Sequence, residues 1–279
     1  MVHNERSEVR NTLSPMEIEK LLPTRQKQIV EMVQERGYVS IELLAKHFSV
    51  TPQTIRRDIN KLCGEGLLRR YHGGAGPDTS VQNFTYSVRR SLCSDEKVRV
   101  GQLVAEHIPN HASLFIDIGT STEEVAKALL SKTGLRVITN NLNVASILSR
   151  NKDFEILLAG GRLRNYDLGI TGEATIDFIK QFKVDFGIVS VAGIDYDGTL
   201  IDFDYHEVRV ARAIMSNSRR TFLVADHSKF GRSAMVRIGH ISEVDALFTD
   251  EAPTSEDFIN MLVEKDVKLH IAESKEGEE

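Results

Sequence analysis

The sequence predicts an N-terminal winged helix-turn-helix domain followed by an α/β domain with a mainly parallel sheet. Two observations support this prediction. Two short amphipathic helices joined by a tight turn lie between residues 40 and 64, and short apolar runs alternate with amphipathic helices from about residue 95 to residue 271. A chain of 279 residues, of which 41% are hydrophobic, is long enough to bury two cores.

Caps and apolar spacing define the helix-turn-helix pattern. Ser40 can cap the first helix and Thr51 the second, and Pro52 suits the first helical position, where a missing N–H costs nothing. Only Ser49 and Val50 separate the two helices. The apolar side chains that give each helix one buried stripe are Ile41, Leu44, Ala45 and Phe48 in the first helix, and Ile55, Ile59 and Leu62 in the second.

The other face of the second helix carries amide, hydroxyl and guanidinium groups, which match base edges and phosphates of double-stranded DNA. An ordinary solvated basic face is the alternative interpretation. A following segment with weak alternation ends in Gly73-Gly74 and predicts a β-hairpin wing that brings further cations to the DNA backbone. The candidate DNA-binding residues are Gln53, Thr54, Arg56, Arg57, Asn60 and Lys61 on the helix, and Arg69, Arg70 and His72 on the wing.

The charge distribution favours DNA contact by the N-terminal part alone. Residues 24–76 contain nine Lys and Arg against five Asp and Glu, a net charge of +4, which leaves −9 for the remainder of a chain whose total is −5. The sequence contains no apolar run of about 20 residues and no apolar secretion segment, so we expect a cytoplasmic protein with no membrane partner. Cys63 and Cys93 lack metal-site spacing, and we expect neither a metal nor a cofactor.

Composition and periodicity divide the chain into five parts. Residues 1–22 are predicted to be a flexible arm, 23–76 the winged helix-turn-helix domain, 77–94 a linker, 95–272 the α/β domain, and 273–279 an acidic tail. Seven apolar runs in the fourth part predict strands: 114–118, 135–139, 154–159, 184–191, 221–225, 244–248 and 267–271. Amphipathic helices are predicted at 122–130, 144–150, 174–182, 208–215 and 255–263.

Polar and glycine-rich loops follow four of these strands. Ligands of open parallel sheets bind beyond the carboxyl ends of the strands, and small residues at a helix start let backbone N–H groups approach an anion. These loops therefore predict a site for a small phosphorylated metabolite, although each is also compatible with a simple cap or turn. The candidate effector-binding residues are Asp117, Gly119, Thr120, Ser121, Thr122, Asn140, Gly160, Gly161, Arg162, Asp195 and Lys229.

The run from Arg25 to Ala75, especially Thr54-Ile55-Arg56-Arg57-Asp58 and Arg69-Arg70-Tyr71-His72-Gly73-Gly74-Ala75, resembles the DNA-binding signature of the DeoR family of bacterial repressors. The strand-end loops are similar to the effector domain of the same family, which resembles sugar-phosphate isomerases of the ribose-5-phosphate isomerase type. Within the family, the runs 138–148, 177–186 and 202–210 are most similar to members that respond to sn-glycerol 3-phosphate. The resemblance thus implies a repressor of glycerol metabolism released from its operator by that polyol phosphate.

Two functional consequences follow from this resemblance. A single winged module binds DNA weakly, so we expect a homo-oligomer, a dimer or a tetramer, held together by the α/β domain. The effector is expected to prefer the arrangement that cannot bind DNA.

Other functions remain open on sequence alone. A different sugar phosphate could be the effector, and an activator or architectural DNA binder is compatible with the same pattern. An active sugar-phosphate isomerase would need Asp195, Asp197, Glu207 and Lys229 to supply acid, base and charge stabilisation. Turnover of pentose phosphates would distinguish that enzyme from a regulator.

Overall fold

The computed structural model describes residues 22–71, 73–77 and 83–273. The chain divides into two compact units, with the division between residues 79 and 80. The predicted arm at 1–22 and the acidic tail lie almost entirely outside the described residues, as does His72.

The described part of the N-terminal unit contains three helices and a small antiparallel sheet. Apolar side chains from all three helices form one core, in which Ile29, Leu44 and Ile59 are buried, as the spacing of the apolar positions requires. The strand order is β1-β3-β2. The elements are α1 (Thr24–Arg36), β1 (Val39–Ser40), α2 (Ile41–Phe48), α3 (Pro52–Gly64), β2 (Arg69–Tyr71) and β3 (Gly74–Gly76).

Local hydrogen bonds set the turn between α2 and α3. The Ser40 hydroxyl accepts from the Leu43 N–H at 3.2 Å, and the Thr51 hydroxyl accepts from the Thr54 N–H at 3.3 Å, so both predicted caps are present. Ser49 ends α2 in the left-handed conformation, with φ of 53°, and redirects the chain within one residue. The prediction of a helix-turn-helix followed by a wing is confirmed.

A buried carboxylate holds α3 against α1. Asp58 is 6% exposed and accepts hydrogen bonds from Arg25 Nε at 2.7 Å and from Gln26 Nε2 at 2.8 Å. Lys61 Nζ donates to Gln26 Oε1 at 3.2 Å and extends this contact by one turn. Each of these bonds joins residues more than thirty positions apart in the sequence. They therefore hold α1 and α3 together in addition to the apolar core.

The C-terminal unit is a three-layer α/β/α fold. Its seven-stranded sheet has the order β15-β14-β12-β9-β4-β5-β6, and every pairing between these strands is parallel. The sheet strands are β4 (Ser113–Ile116), β5 (Arg136–Thr139), β6 (Glu155–Leu158), β9 (Val184–Ser190), β12 (Ser218–Val224), β14 (Ala246–Thr249) and β15 (Lys268–Ile271). All seven correspond to the apolar runs, so the predicted fold class is confirmed.

Helices cover both faces of the sheet. Alternate residues of one strand enter different cores: Leu114 and Ile116 pack with the helices of one layer, whereas Phe115 packs with those of the other. The first layer contains α5 (Ser94–Glu106), α6 (Thr120–Ala128) and α7 (Leu142–Leu148), and the second contains α8 (Glu173–Ile179), α9 (Tyr205–Ser216) and α10 (Glu256–Glu264).

Two small antiparallel sheets are additional to the sequence prediction. One pairs β7 (Arg162–Leu163) with β8 (Ile170–Thr171), and the other has the order β10-β11-β13, built from β10 (Gly193–Ile194), β11 (Thr199–Asp202) and β13 (Val236–His240). Both follow strands of the main sheet in the chain, and Asp202 at the end of β11 lines the site described below.

The segment predicted as a linker differs from the structure in its second half. Residues 86–91 form helix α4 (Tyr86–Ser91), which belongs to the C-terminal unit. Tyr86 Oη donates to Glu123 Oε2 at 2.8 Å, and Arg89 pairs with the buried Asp167. The polar composition that suggested a linker therefore serves contacts with neighbouring charged side chains.

The strand order reverses between β4 and β9. From β4 the chain proceeds through β5 and β6 on one side, and from β9 through β12, β14 and β15 on the other. The loops after β4 and β9 consequently diverge, which leaves a crevice at the carboxyl ends of these two strands.

Candidate functional site

The N-terminal unit presents a cationic surface on α3 and the wing. Gln53, Arg56 and Arg57 are exposed on α3, while Thr54 is half-buried because its hydroxyl pairs with that of Thr51 at 3.0 Å. The exposed side chains lie opposite the buried stripe, as the helical spacing predicts. They are free of apolar cover and can reach base edges and phosphate oxygens.

A side-chain contact joins α3 to the wing. Arg70 Nη1 donates to Asn60 Oδ1 at 3.1 Å, which leaves the Asn60 amide N–H groups available to a ligand. The Arg69 guanidinium lies over the Tyr71 ring, 5.9 Å from its centroid. The helix and the wing therefore form one continuous polar surface in the described part of this unit.

The C-terminal unit has a small polar cavity at the crevice between β4 and β9. Gly119 precedes α6, and the first turn of that helix directs the Thr120 and Ser121 backbone towards the cavity. Opposite this turn lie two buried cations, Lys229 at 9% exposure and Arg232 at 4% exposure. A helix start that faces buried cations is suited to a small anion.

Burial changes the protonation of the charged groups around this cavity. Burial lowers the pKa of Lys229 to about 8, although the neighbouring Asp226 opposes the shift. Burial raises the pKa of Glu207 to about 8, and the nearby Asp202 contributes in the same direction. Burial thus works against the negative charge of Glu207, which would repel an anion.

The remaining acidic groups already have partners. Asp202 Oδ2 accepts from the Ala192 N–H at 3.1 Å, and its Oδ1 accepts from the Phe203 N–H at 2.7 Å. Arg164 Nη1 donates to Glu207 Oε2 at 2.6 Å. The acids thus shape the cavity wall, while the cations supply its charge.

Three of the candidate effector residues support the turn from behind. Thr122 is buried and donates to the carbonyls of Asp117 and Gly119 at 2.7 and 2.9 Å. Asn140 Nδ2 donates to the Ile170 carbonyl at 3.2 Å. Asp117 is buried, and burial raises its pKa to about 7. None of these three side chains is among the residues that line the cavity.

The other candidates lie away from the small cavity. Gly160, Gly161 and Arg162 are exposed in the segment after β6, and Asp195 is half-buried at the turn between β10 and β11. The four predicted residues that the structure brings together at the cavity are Gly119, Thr120, Ser121 and Lys229.

The cavity also contains residues that the sequence did not single out for the effector. They come from α4 and the residues before it, from the end of β9 and the loop after it, from β11, from α9 and from the loop before β13, which are remote from one another in the chain. The run from Asp226 to Arg232 was only partly recognised: Lys229 was predicted to bind the effector, whereas Arg232 was not. The residues missed are Asn83, Arg89, Ser190, Val191, Ala192, Asp202, Glu207 and Arg232.

A larger cavity of about 490 Å³ adjoins the small one. The two share Asn83, Arg89, Asp202 and Glu207, and aromatic side chains, including Phe84 and Phe203, line the larger cavity. The small cavity with its cations is the candidate anion site, and the larger one forms its entrance.

One group of possible metal ligands occurs among the described residues: His227, Asp250 and Glu251. Asp250 uses its two carboxylate oxygens on His227, accepting from the backbone N–H at 2.7 Å and contacting Nδ1 at 2.6 Å. This contact raises the pKa of His227 to about 9. A protonated histidine paired with a carboxylate accounts for the group without a metal.

The arrangement is that of a ligand-responsive DNA-binding regulator: a helix-turn-helix unit and an α/β unit with a cation-lined cavity at its switch point, in one chain. A family model described as the DeoR-like helix-turn-helix domain matches residues 25–81, and one described as the DeoR C terminal sensor domain matches residues 92–251. The chain belongs to the DeoR family of transcriptional regulators.

Two named repressors are similar to most of this chain. The chain is 53% identical to the glycerol-3-phosphate regulon repressor of Escherichia coli (strain K12), over 88% of this chain and 98% of that protein. It is 51% identical to the protein of the same name from Haemophilus influenzae, over 90% of this chain and 97% of that protein. The chain is therefore a transcriptional repressor of a non-enzymatic family, and the isomerase alternative is not supported.

Similarity to solved structures is partial. Ribose 5 phosphate isomerase A from Neisseria gonorrhoeae aligns with 15% identity and a TM-score of 0.34, over 48% of this chain and 52% of that one.

Among the described residues, no helix combines the length and the apolar character that crossing a bilayer requires.

Proposed function

We propose that this chain represses a glycerol 3-phosphate regulon and that sn-glycerol 3-phosphate, bound in the small cavity of the sensor domain, releases it from its operator. The identity of 53% to the Escherichia coli repressor, over nearly the whole of both chains, is the observation that carries the choice of regulon. The cavity supports the choice of ligand class, since buried Lys229 and Arg232 face the start of α6.

Polar groups around the anion site suit the rest of the ligand. Glycerol hydroxyls need both donors and acceptors. The hydroxyl oxygens of Thr120 and Ser190, whose own hydrogens go to backbone carbonyls, can accept, and the Lys229 ammonium can donate. The neighbouring cavity of about 490 Å³ shares four lining residues with the small one, and in this proposal the polyol part of the ligand extends into it.

DNA binding belongs to the exposed face of α3 and to the wing. We assign Arg56 and Arg57 to phosphate or guanine contacts, and the Asn60 amide to a base edge or backbone oxygen. A homo-oligomer in the cytoplasm, a dimer or a tetramer, would place two such surfaces on repeated half-sites.

A binding experiment on DNA tests the proposal. Duplexes recovered by in vitro selection with the full chain are titrated at fixed ionic strength, with and without sn-glycerol 3-phosphate. We expect the ligand to raise the Kd for DNA by roughly tenfold or more, since coupling free energies are typically 1–3 kcal/mol. Glycerol, which lacks the phosphate, should leave the Kd unchanged.

Matched variants identify the DNA-binding surface in the same assay. Arg57→Ala should weaken DNA binding and, if the arginine contacts phosphate, lower the salt slope by about one. Lys27→Ala removes the same charge from the exposed face of α1 and should have little effect. Equal DNA affinity with and without sn-glycerol 3-phosphate would refute the proposed effector, and unchanged binding by Arg57→Ala and Arg56→Ala would refute the assignment of α3.

A further inference from the structure

We infer that Arg89 of α4 is a direct ligand of the effector's phosphate, and that it binds the phosphate with guanidinium donors other than the one bonded to Asp167. This inference rests on the proposed function, because it concerns the same cavity. It adds a residue outside the recognised sensor segment, since the sensor family model begins at residue 92.

The backbone of Arg89 is fixed beside the anion site. Lys97 is buried, and its Nζ donates to the carbonyls of Arg89 and Leu92, both at 2.5 Å. Thr120 Oγ1, in the first turn of α6, donates to the same Arg89 carbonyl at 3.3 Å. The end of α4 is thus attached directly to the turn that would bind the phosphate.

The Arg89 side chain, by contrast, is weakly engaged. Its Nη2 donates to Asp167 Oδ2 at 3.2 Å, and its Nε is buried with no hydrogen-bond partner in the described part of the chain. Asp167 already receives two hydrogen bonds from Arg164, at 3.1 and 2.6 Å. The loss of the Arg89 contact would therefore leave the Asp167 carboxylate satisfied.

Its position gives Arg89 access to a ligand. The side chain is 13% exposed and lines both the small cavity and the larger one that leads to it. Of the other cations at the small cavity, Arg232 already donates to the Ala192 carbonyl and to Asn83 Oδ1, at 3.3 and 2.9 Å. A phosphate dianion accepts two parallel hydrogen bonds from one guanidinium, which is the pairing that Arg89 can still offer.

Ligation by Arg89 would also connect the cavity with the path of the chain. Helix α4 is the first helix of the C-terminal unit, and the segment before it runs to the DNA-binding unit. A ligand bound to both Arg89 and the α6 turn would hold this point of departure more tightly. We expect effector occupancy to stabilise α4 at the start of the described part of the C-terminal unit.

Calorimetric titration of the full chain tests the inference. The probes are sn-glycerol 3-phosphate, inorganic phosphate and glycerol, and the variants are Arg89→Gln, Arg89→Lys and the control Arg90→Gln. Arg89→Gln should weaken binding of both phosphate-bearing probes by roughly tenfold to a hundredfold, as for a hydrogen bond to a charged group. The affinity of Arg89→Lys should lie between those of Arg89→Gln and the unmodified chain. The affinity of Arg90→Gln, changed on the exposed side of the same helix, should stay within about twofold of the unmodified chain.

A further variant distinguishes ligation from support of the fold. Asp167→Asn weakens the Asp167 contact with Arg89, while Arg164 keeps its bonds to Asp204 and Glu207. If Arg89 is a ligand, this change should leave phosphate affinity equal or higher. If Arg89 only secures α4, Asp167→Asn should weaken binding as much as Arg89→Gln does.

The outcomes separate the inference from the proposed function. Unchanged affinity in Arg89→Gln, or equal losses in Arg89→Gln and Asp167→Asn, would overturn the role of Arg89. Failure of the unmodified chain to bind sn-glycerol 3-phosphate would overturn the proposed effector, and titration with inorganic phosphate would then decide on Arg89. Failure to bind either probe would overturn both.

Discussion

The pKa of Lys229 is about 8 because the ammonium is buried, so this group changes charge just above neutral pH. Asp226, Arg232, Lys97 and Arg89 are the charged groups that act on it. A phosphate dianion stabilises the protonated form, and affinity should therefore fall as pH rises through about 8. Glu207 loses its proton over the same range, and its negative charge then repels the phosphate, so this change also lowers affinity as pH rises.

Affinity for sn-glycerol 3-phosphate should consequently decrease by about tenfold or more between pH 7 and pH 9. Below about pH 6 the phosphate itself gains a proton, which also weakens binding. Titration calorimetry in buffers of different ionisation enthalpy should detect proton uptake near pH 8, and Lys229→Gln should reduce that uptake. Constant affinity from pH 7 to pH 9 would contradict the placement of the ligand beside Lys229.

The environment of individual polar side chains in the site was not predictable from the sequence. The turn from Asp117 to Thr122 is correctly predicted as a polar strand-to-helix connection, yet its side chains have different environments. Thr120 lines the cavity, whereas Thr122 is buried and bonds to the carbonyls of Asp117 and Gly119. The two threonines are equivalent in the sequence, and only their direction along the first turn of the helix separates them.

At the scale of the element, the β4–α6 turn depends on a close approach at Gly119. A Cβ atom there would lie 2.3 Å from Ser190 Oγ and 3.3 Å from Thr122 Oγ1. Gly119→Ala should therefore displace the α6 start and weaken effector binding by roughly tenfold, since overpacking typically costs about 1–3 kcal/mol.

A second substitution checks this cause. Ser190→Gly removes the atom nearest the added Cβ, so the double variant should bind the effector more tightly than Gly119→Ala alone, even if Ser190→Gly weakens binding by itself. DNA affinity without effector should stay unchanged in all three proteins. Equal effector binding by Gly119→Ala and the unmodified chain would show that this turn does not contact the ligand.

The elements of the main sheet were predictable because each is a compact apolar run with a strong periodicity. All seven strands and the helices between them were identified. The elements that complete the site were not, because β11 has only four residues and α4 has six, with charged side chains whose partners are distant in the sequence. Arg89 and Asp167 are 78 residues apart, and no local sequence pattern predicts a contact between them.

In the whole molecule, the proposed DNA-binding surface and the proposed effector site belong to two different units of one chain. The surface of α3 and the wing has no residue in common with the cavity, so ligand and DNA do not compete for the same groups. The effect of one on the other must therefore arise from a difference in their affinities for two arrangements of the protein.

This coupling has a quantitative consequence that holds for any path between the sites. If saturating sn-glycerol 3-phosphate raises the Kd for a selected duplex by a given factor, the saturating duplex must weaken sn-glycerol 3-phosphate binding by the same total factor, multiplied over all effector sites of the complex, because both belong to one thermodynamic cycle. Fluorescence anisotropy of labelled DNA measures the first factor, and calorimetric titration of the protein–DNA complex measures the second, at the same salt and pH. Lys229→Gln should weaken ligand binding while preserving DNA affinity in the absence of ligand, and Arg57→Ala should do the reverse. Unequal total factors in the unmodified chain would contradict a single coupled equilibrium, because they would require a further binding or assembly step that the cycle does not contain.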